Sequence, residues 1–493
     1  MLLTAELLLN YQRCGRRAFL DTHGDRSQKS PPSDFLIKLM QDSLVHQQTV
    51  LAGQTWHRPH YSELDWTTGA QATLELMHQG VEQIYQGILL VEQPGLSLLS
   101  KPTLLIKQPG HSYFGDWLYV PSDIKLSKRP KLEYQIVVAF HVQLLAATQG
   151  AWPETAWLLL RERGRYAVDL WQVLPQMQTV LAALSQTLQQ QEPEVFITRN
   201  RCSLCPWFNH CYRIAQSQQH LSLLPGVTPS RYPALQQLNL TSIDALAAAD
   251  PSHLGPLSGF GQDAAVRLVQ QAQAVSQNQA ILLQEPSRND FAVDAIAAKG
   301  PVQDPLPTAT VELYFDIEAE PGLNLTYLHG VLVIDREAGR QTFQPFLAES
   351  PEAELLVWQQ FLSLVQSYPT APIFHFCAYE VQTVERLAKL YRTPAHLIKP
   401  LLTRFVDLHL WVTQRVALPV ESYTLKQIAN WLGFQWRDAA ADGAQSIYWY
   451  TQWLQTGERA FLDAILRYNE DDCRATYHVK DWLAAFIQSA TAR

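Results

Sequence analysis

The chain has 493 residues, 47% of them hydrophobic and 17% charged, and a formal net charge of −8. That length exceeds one ordinary core, since domains cluster near about 100–200 residues, so two or three domains are expected. The composition excludes a disordered chain, no apolar run reaches the roughly 18 residues of a membrane span, and the acidic balance excludes a global attraction to nucleic acid, leaving only local basic patches.

At the N-terminus, MLLTAELLLNYQRCGRRAF has no basic residue ahead of its leucines and carries Glu6 and Asn10 among them, so no signal peptide is expected. Thr4 is placed as a helix N-cap, with Glu6 in the first turn favoured by the helix dipole. Cys14 stands alone here, while Cys202, Cys205 and Cys211 lie far downstream as C-x2-C-x5-C. A soluble enzyme in a reducing cytoplasm would not use them as disulfides, which leaves a four-thiolate site for zinc or an iron-sulfur cluster. Spacing alone does not choose between the two.

Between these cysteines, WLYVPSDIKLSKRPKLEYQ reads as strand, basic loop and helix. Asp123 and Lys125, two apart on a strand, share a face, so Asp123 can hold a metal while Lys125 steadies a hydroxide or a phosphate. The loop offers Lys128, Arg129 and Lys131 to nucleic-acid phosphates, and Arg161, Arg163 and Arg165 form a second basic run, although charge runs are more often solvated faces.

After Cys211, residues 216–284 alternate short helical patterns with LPGV and SGFG turns, whose glycines permit tight hairpins with amides free to meet phosphate. This resembles helix-hairpin-helix units, with a plain helical connector as the alternative. Residues 285–309 read as a linker. There is no GxxxxGK[ST] loop in the sequence, so any helicase motor is expected to be a separate protein.

In the last third, VELYF reads as a strand and puts Asp316 and Glu318 on one face, where they can share a metal. The run AFLDAILRYNEDDCRATYHVKDWLAAF is helical in period and sets Tyr468 and Asp472 one turn apart on a single face. Glu380 in FHFCAYE adds a fourth carboxylate. In-line phosphodiester hydrolysis requires charge compensation on the attacking and leaving oxygens, which two Mg²⁺ ions about 4 Å apart provide. Carboxylate oxygens suit such hard cations, and a tyrosine beside them can orient water. Asp407 and Asp471 are rival ligands, and Cys377 and Cys473 read as ordinary buried thiols.

The order DIE, strand-HFCAYE-helix, then YxxxD on a helix resembles the DEDD exonucleases of the RNase H-like fold, most closely the YprB-type branch. That resemblance implies Asp316, Glu318, Glu380 and Asp472 as ligands of Mg²⁺ or Mn²⁺, Tyr468 as the residue positioning water, and 3′ to 5′ trimming of DNA or RNA. Glu380 departs from the Asp usual in the wider class. The cysteine set resembles the iron-staple nucleases of the RecB superfamily, which favours a [4Fe-4S] cluster over zinc. Asp123-Ile124-Lys125 resembles half of the PD-(D/E)XK motif. This second resemblance implies His46 on an early helix as a further metal ligand and Gln135 as the glutamine of a Q-x3-Y motif, although Ala139 stands at the tyrosine's spacing. Thr103 stands where an Asp is usual, with Asp116 as the nearby substitute.

The expected fold class is therefore α/β. A RecB-like nuclease domain with a Cys₄ staple (1–215) leads to a helix-hairpin-helix-like region (216–284), a linker (285–309) and a YprB-type RNase H-like domain (310–493). The expected activity is a metal-dependent nuclease acting on nucleic acid that is single-stranded or has free ends. Its rival is a non-catalytic nucleic-acid-binding module of a repair or CRISPR-linked complex.

Overall fold

The computed structural model describes residues 1–199, 201–283 and 305–491. Most of the expected linker, 285–304, lies outside the described residues. Two compact bodies emerge, Met1–Arg213 and Ile214–Arg493. Among the described residues, no helix is long and apolar enough to cross a membrane.

The first body is built on a five-stranded sheet in the order Gln83–Tyr85, Leu104–Ser112, Gly115–Lys125, Trp157–Leu160, Gly164–Ala167. Only Gly115–Lys125 and Trp157–Leu160 run parallel, and the helix Leu132–Gln149 joins them as a crossover. That helix is apolar almost all round, with Ile136 to Val142 buried in succession, because it is covered on every side. Gly150 ends it with φ 64°, a left-handed cap that suits glycine. A second, three-stranded sheet sets Leu2–Thr4 parallel to Leu96–Ser100. Thr4 then caps the helix Ala5–Arg13, its hydroxyl accepting from the Leu7 N–H at 3.0 Å.

The second body centres on a sheet in the order Arg340–Leu347, Leu325–Asp335, Val311–Glu320, Ile373–His375, Phe405–Asp407. The first three strands are antiparallel neighbours and the last two run parallel to Val311–Glu320 and to each other. Alternation along Val311–Glu320 sorts its side chains. Leu313, Phe315 and Ile317 enter a core with Trp358 and Phe361, whereas Tyr314 enters the opposite core with Cys473, Val479 and Leu483 of the helix Arg459–Thr491. Lys480 from that helix meets Glu312 at 2.8 Å, both fully buried, and Arg336 pairs with the same carboxylate. A buried pair of this kind fixes register, because any slip strands a charge.

Residues 214–283 of this body are mainly short helices, ending in Gln262–Gln277. Gly226 (φ 93°) and Gly259 (φ 82°) make the two turns, and Arg231 donates to both of their carbonyls, at 3.1 and 2.7 Å. Gln271 donates to the Leu418 carbonyl at 2.6 Å, and Ile281–Leu282 pairs with Val416–Ala417, so these helices pack onto the C-terminal part of the chain as one body with it.

Candidate active site

Asp316 and Glu318 emerge on the side of the central strand that faces the long helix, and Asp472 descends on them from that helix. One ligand oxygen from each lies within 4.8 Å of the other two. Burial raises the titration of all three carboxyls, and mutual repulsion adds to it at Asp316 and Glu318, which are held well above the carboxylate range; Asp472 is pushed up to about 7. A carboxylate trio that resists its own charge is a hard-oxygen donor set of the kind that suits a divalent cation. The residues present therefore fit a divalent ion.

Several neighbours tune this trio. Asn469, completely buried one helical turn before Cys473, donates its amide to Asp316 Oδ2 at 2.7 Å and also hydrogen-bonds Glu318. Its Oδ1 meets no protein donor and lies over Gly330, where any Cβ would collide with it. Trp436 Nε1 donates to Asp472 Oδ1 at 2.7 Å, and Ser446 binds Glu318. Tyr468 donates to Asp472, and burial followed by the surrounding carboxylates keeps its phenol protonated. Asn469, Trp436 and Ser446 are absent from the motif-based expectations. For Asn469, helical spacing next to Asp472 was the available signal.

The other acidic expectations separate. Glu380 lies in the first turn of Tyr379–Leu390, 4% exposed, with His375 Nδ1 at 3.4 Å; burial raises its titration, and its charge is felt by Asp316. It stands beside the trio without entering the group of three. Asp471 turns away to Arg437, accepting from its backbone N–H at 2.9 Å and its Nε at 2.8 Å. Asp407 caps the helix Leu408–Arg415 and also accepts from the Cys377 N–H at 3.2 Å. Cys473 is fully buried, but Cys377 is half-exposed and takes φ 80°, which corrects its reading as a buried thiol.

In the first body a different arrangement surrounds Asp123. Thr103 gives its N–H (2.9 Å) and its hydroxyl (3.0 Å) to Asp123 Oδ1, while Lys125 Nζ (2.9 Å) and His141 Nε2 (3.4 Å) approach Oδ2. Burial alone would raise this carboxyl, but Lys125, His141 and the Thr103 N–H together hold it well below the usual range. His141, supported by Ser100 at 2.7 Å, is a site residue the motifs missed, since its helix presents no polar face to flag it. His46 is directed to the backbone of Lys125, its Nε2 without a partner. Gln135 does not join this cleft: its amide is tied to the Pro130 carbonyl at 2.8 Å. Asp116 is exposed on the hairpin and pairs with His111, so it does not stand in for Thr103.

The basic runs are partly spent on the protein itself. Lys128 pairs with Glu162 at 2.8 Å, Arg165 lies over Trp157 and Arg163 over Tyr166, whereas Arg129 and Lys131 remain exposed. Cys14, Cys202, Cys205 and Cys211 line one small cavity together with Arg16, Arg17 and Arg199. Burial raises the thiols of Cys202, Cys205 and Cys211, and each feels the charge of Cys14. Four thiols thus share one cavity with three arginines and Glu194, the only such set of cysteines among the described residues.

A family model of the RNase H superfamily, RNase_H_2, matches residues 313–484, a span that begins on the central strand and ends in the long helix. The C-terminal body thus carries an RNase H-like domain, of a superfamily whose membership points to nuclease chemistry on nucleic acid. A search of curated proteins returned no match.

Proposed function

We propose that the RNase H-like domain is a metal-dependent exonuclease of the DEDD type that trims single-stranded or free nucleic-acid ends in the 3′ to 5′ direction. The observation that carries this reading is the convergence of Asp316, Glu318 and Asp472 in a self-repelling trio, Glu318 buried and the two aspartates half-buried. These residues would hold Mg²⁺ or Mn²⁺, with Glu380 beside them; bound cations would offset charge on the attacking and leaving oxygens. Asn469 keeps Asp316 aimed at the ion site, and Trp436 does the same for Asp472. Tyr468, fixed by Asp472 and unable to ionise, presents a phenol that can orient the attacking water.

The test uses DNA and RNA oligonucleotides labelled at either end, Mg²⁺, and the full chain with or without Asp316→Asn. A ladder shortening from the 3′ end, lost in the variant, supports the proposal, and equal rates for the two proteins would end it. For the four cysteines we favour a [4Fe-4S] cluster. Anaerobically purified protein should then be brown and lose its visible absorbance on oxidation, while a colourless protein with bound zinc would reverse that assignment.

A further inference from the structure

We propose that the cleft around Asp123 in the first body binds single-stranded nucleic acid through its phosphates, needs no divalent cation to do so, and does not cut. The inference rests on the reading of the chain as acting on nucleic acid, and it differs from what a D-x-K strand would ordinarily imply.

Three observations carry it. The first is that Asp123, 2% exposed, already receives four donors on its two oxygens. A carboxylate offers about four lone-pair sites, so none is left over for a metal ion. The second is that Thr103, which meets Asp123 across the strand pair, donates a hydrogen to the carboxylate instead of adding a negative oxygen. Lys125 thereby offsets the buried charge from within, while its ammonium, 26% exposed, still faces the cleft.

The third observation is what else faces the cleft. Its space of about 390 Å³ is lined by Trp66, Lys101 and Lys125, with Glu6 as the one other acid beside Asp123 among the described residues. Lys125 and Lys131 both stand over the ring of Tyr134, at 5.7 and 5.8 Å, which ties the basic loop to the cleft wall. Lys101 and Trp66 in the cleft, with Tyr134 and Lys131 beside Lys125, set cations next to aromatic rings as an unpaired strand requires: phosphates meet the cations and bases stack on the rings. Duplex readers need no such rings. The volume also falls within the roughly 300–1,000 Å³ of ordinary ligand clefts.

The test uses the full chain carrying Asp316→Asn and Asp472→Asn, which silences the C-terminal trio, and follows the fluorescence anisotropy of a labelled oligothymidine in EDTA. Binding should persist without metal, weaken about 10-fold or more when Lys101→Ala and Lys125→Ala are added, and fade with salt. Unchanged thermal melting of that variant shows that the loss is local, and Trp66→Ala should weaken binding in the same direction. Inorganic phosphate at millimolar concentration should leave the oligonucleotide bound; full displacement would mean a site for lone phosphate and would sink the nucleic-acid assignment. Mn²⁺ titration should detect no ion at this cleft until Thr103→Asp supplies the missing carboxylate. Mn²⁺-dependent cutting by the silenced protein, abolished by Asp123→Asn, would overturn the inference while leaving the exonuclease reading intact. A protein that trims ends but binds equally well without Lys101 and Lys125 would overturn it too. A protein that neither binds nor trims nucleic acid would remove both readings.

Discussion

Asp123 in the first body, fully buried, and Asp316 in the second, half-buried, are both carboxylates on central strands, yet their surroundings push them in opposite directions. Asp123 has a lysine, a histidine and a threonine within reach and stays ionised well below the usual range. Asp316 has two more carboxylates at that distance, one amide donor, and a titration pushed well above the range. Burial raises the titration in both places; the sign of the neighbour decides the outcome. One carboxylate is compensated by its own neighbours, and the other is opposed by them.

The contrast can be broken most sharply at Asp316. Asp316→Asn should lower Mg²⁺-dependent trimming about 10³-fold, the scale lost when a group that stabilises transition-state charge is removed; end-label assays measure it. Asp123→Asn in the same assay should lower trimming far less, through weaker substrate binding alone, and a comparable fall of about 10³-fold there would erase the distinction between the two centres.

A smaller effect is expected at Asn469. Removing a residue that orients a metal ligand typically costs about 10–100-fold, so Asn469→Ala should fall in that range and recover part of its rate at higher Mg²⁺. A loss that added metal does not relieve would give Asn469 a different task.

The pH dependence sharpens the contrast further. Burial lifts the folded-state titration of Asp472 from 3.8 to about 7, so the folded protein holds that proton more tightly than the unfolded chain does. Metal-free stability should therefore fall as pH rises through that window, and Mg²⁺ should restore more melting temperature at pH 8 than at pH 6. Calorimetric scans with EDTA and with Mg²⁺ at the two pH values decide it. The smallest effect belongs to Asp471→Asn: because Asp471 is turned to Arg437, trimming should change less than about 3-fold, the range of a substitution away from the reacting groups.

How much of this was readable beforehand depends on the range of the interaction. Period-two alternation puts Asp316 and Glu318 on one face, and the 3.6-residue period puts Tyr468 with Asp472; both arise from backbone geometry inside one element. The groups that complete each centre come from elsewhere. Trp436 and Ser446 approach from the segment before the long helix, and Thr103 meets Asp123 across a strand pair, contacts fixed by tertiary register that no local pattern reports. His141 was hidden for another reason: on a helix buried all round, a histidine breaks no amphipathic pattern. That residues 214–283 belong with the C-terminal stretch was also not readable, because the pairing of Ile281–Leu282 with Val416–Ala417 joins stretches far apart in the chain.

Gly330 lies opposite Asp316 on the neighbouring strand, directly beneath the Asn469 side chain. A lone methyl group there would act as a wedge driven in from behind: it alters no charge and touches no ligand, yet it lifts the amide off its carboxylate. Gly330→Ala is accordingly expected to spoil the aim of Asp316 while every carboxylate of the trio keeps its chemical identity.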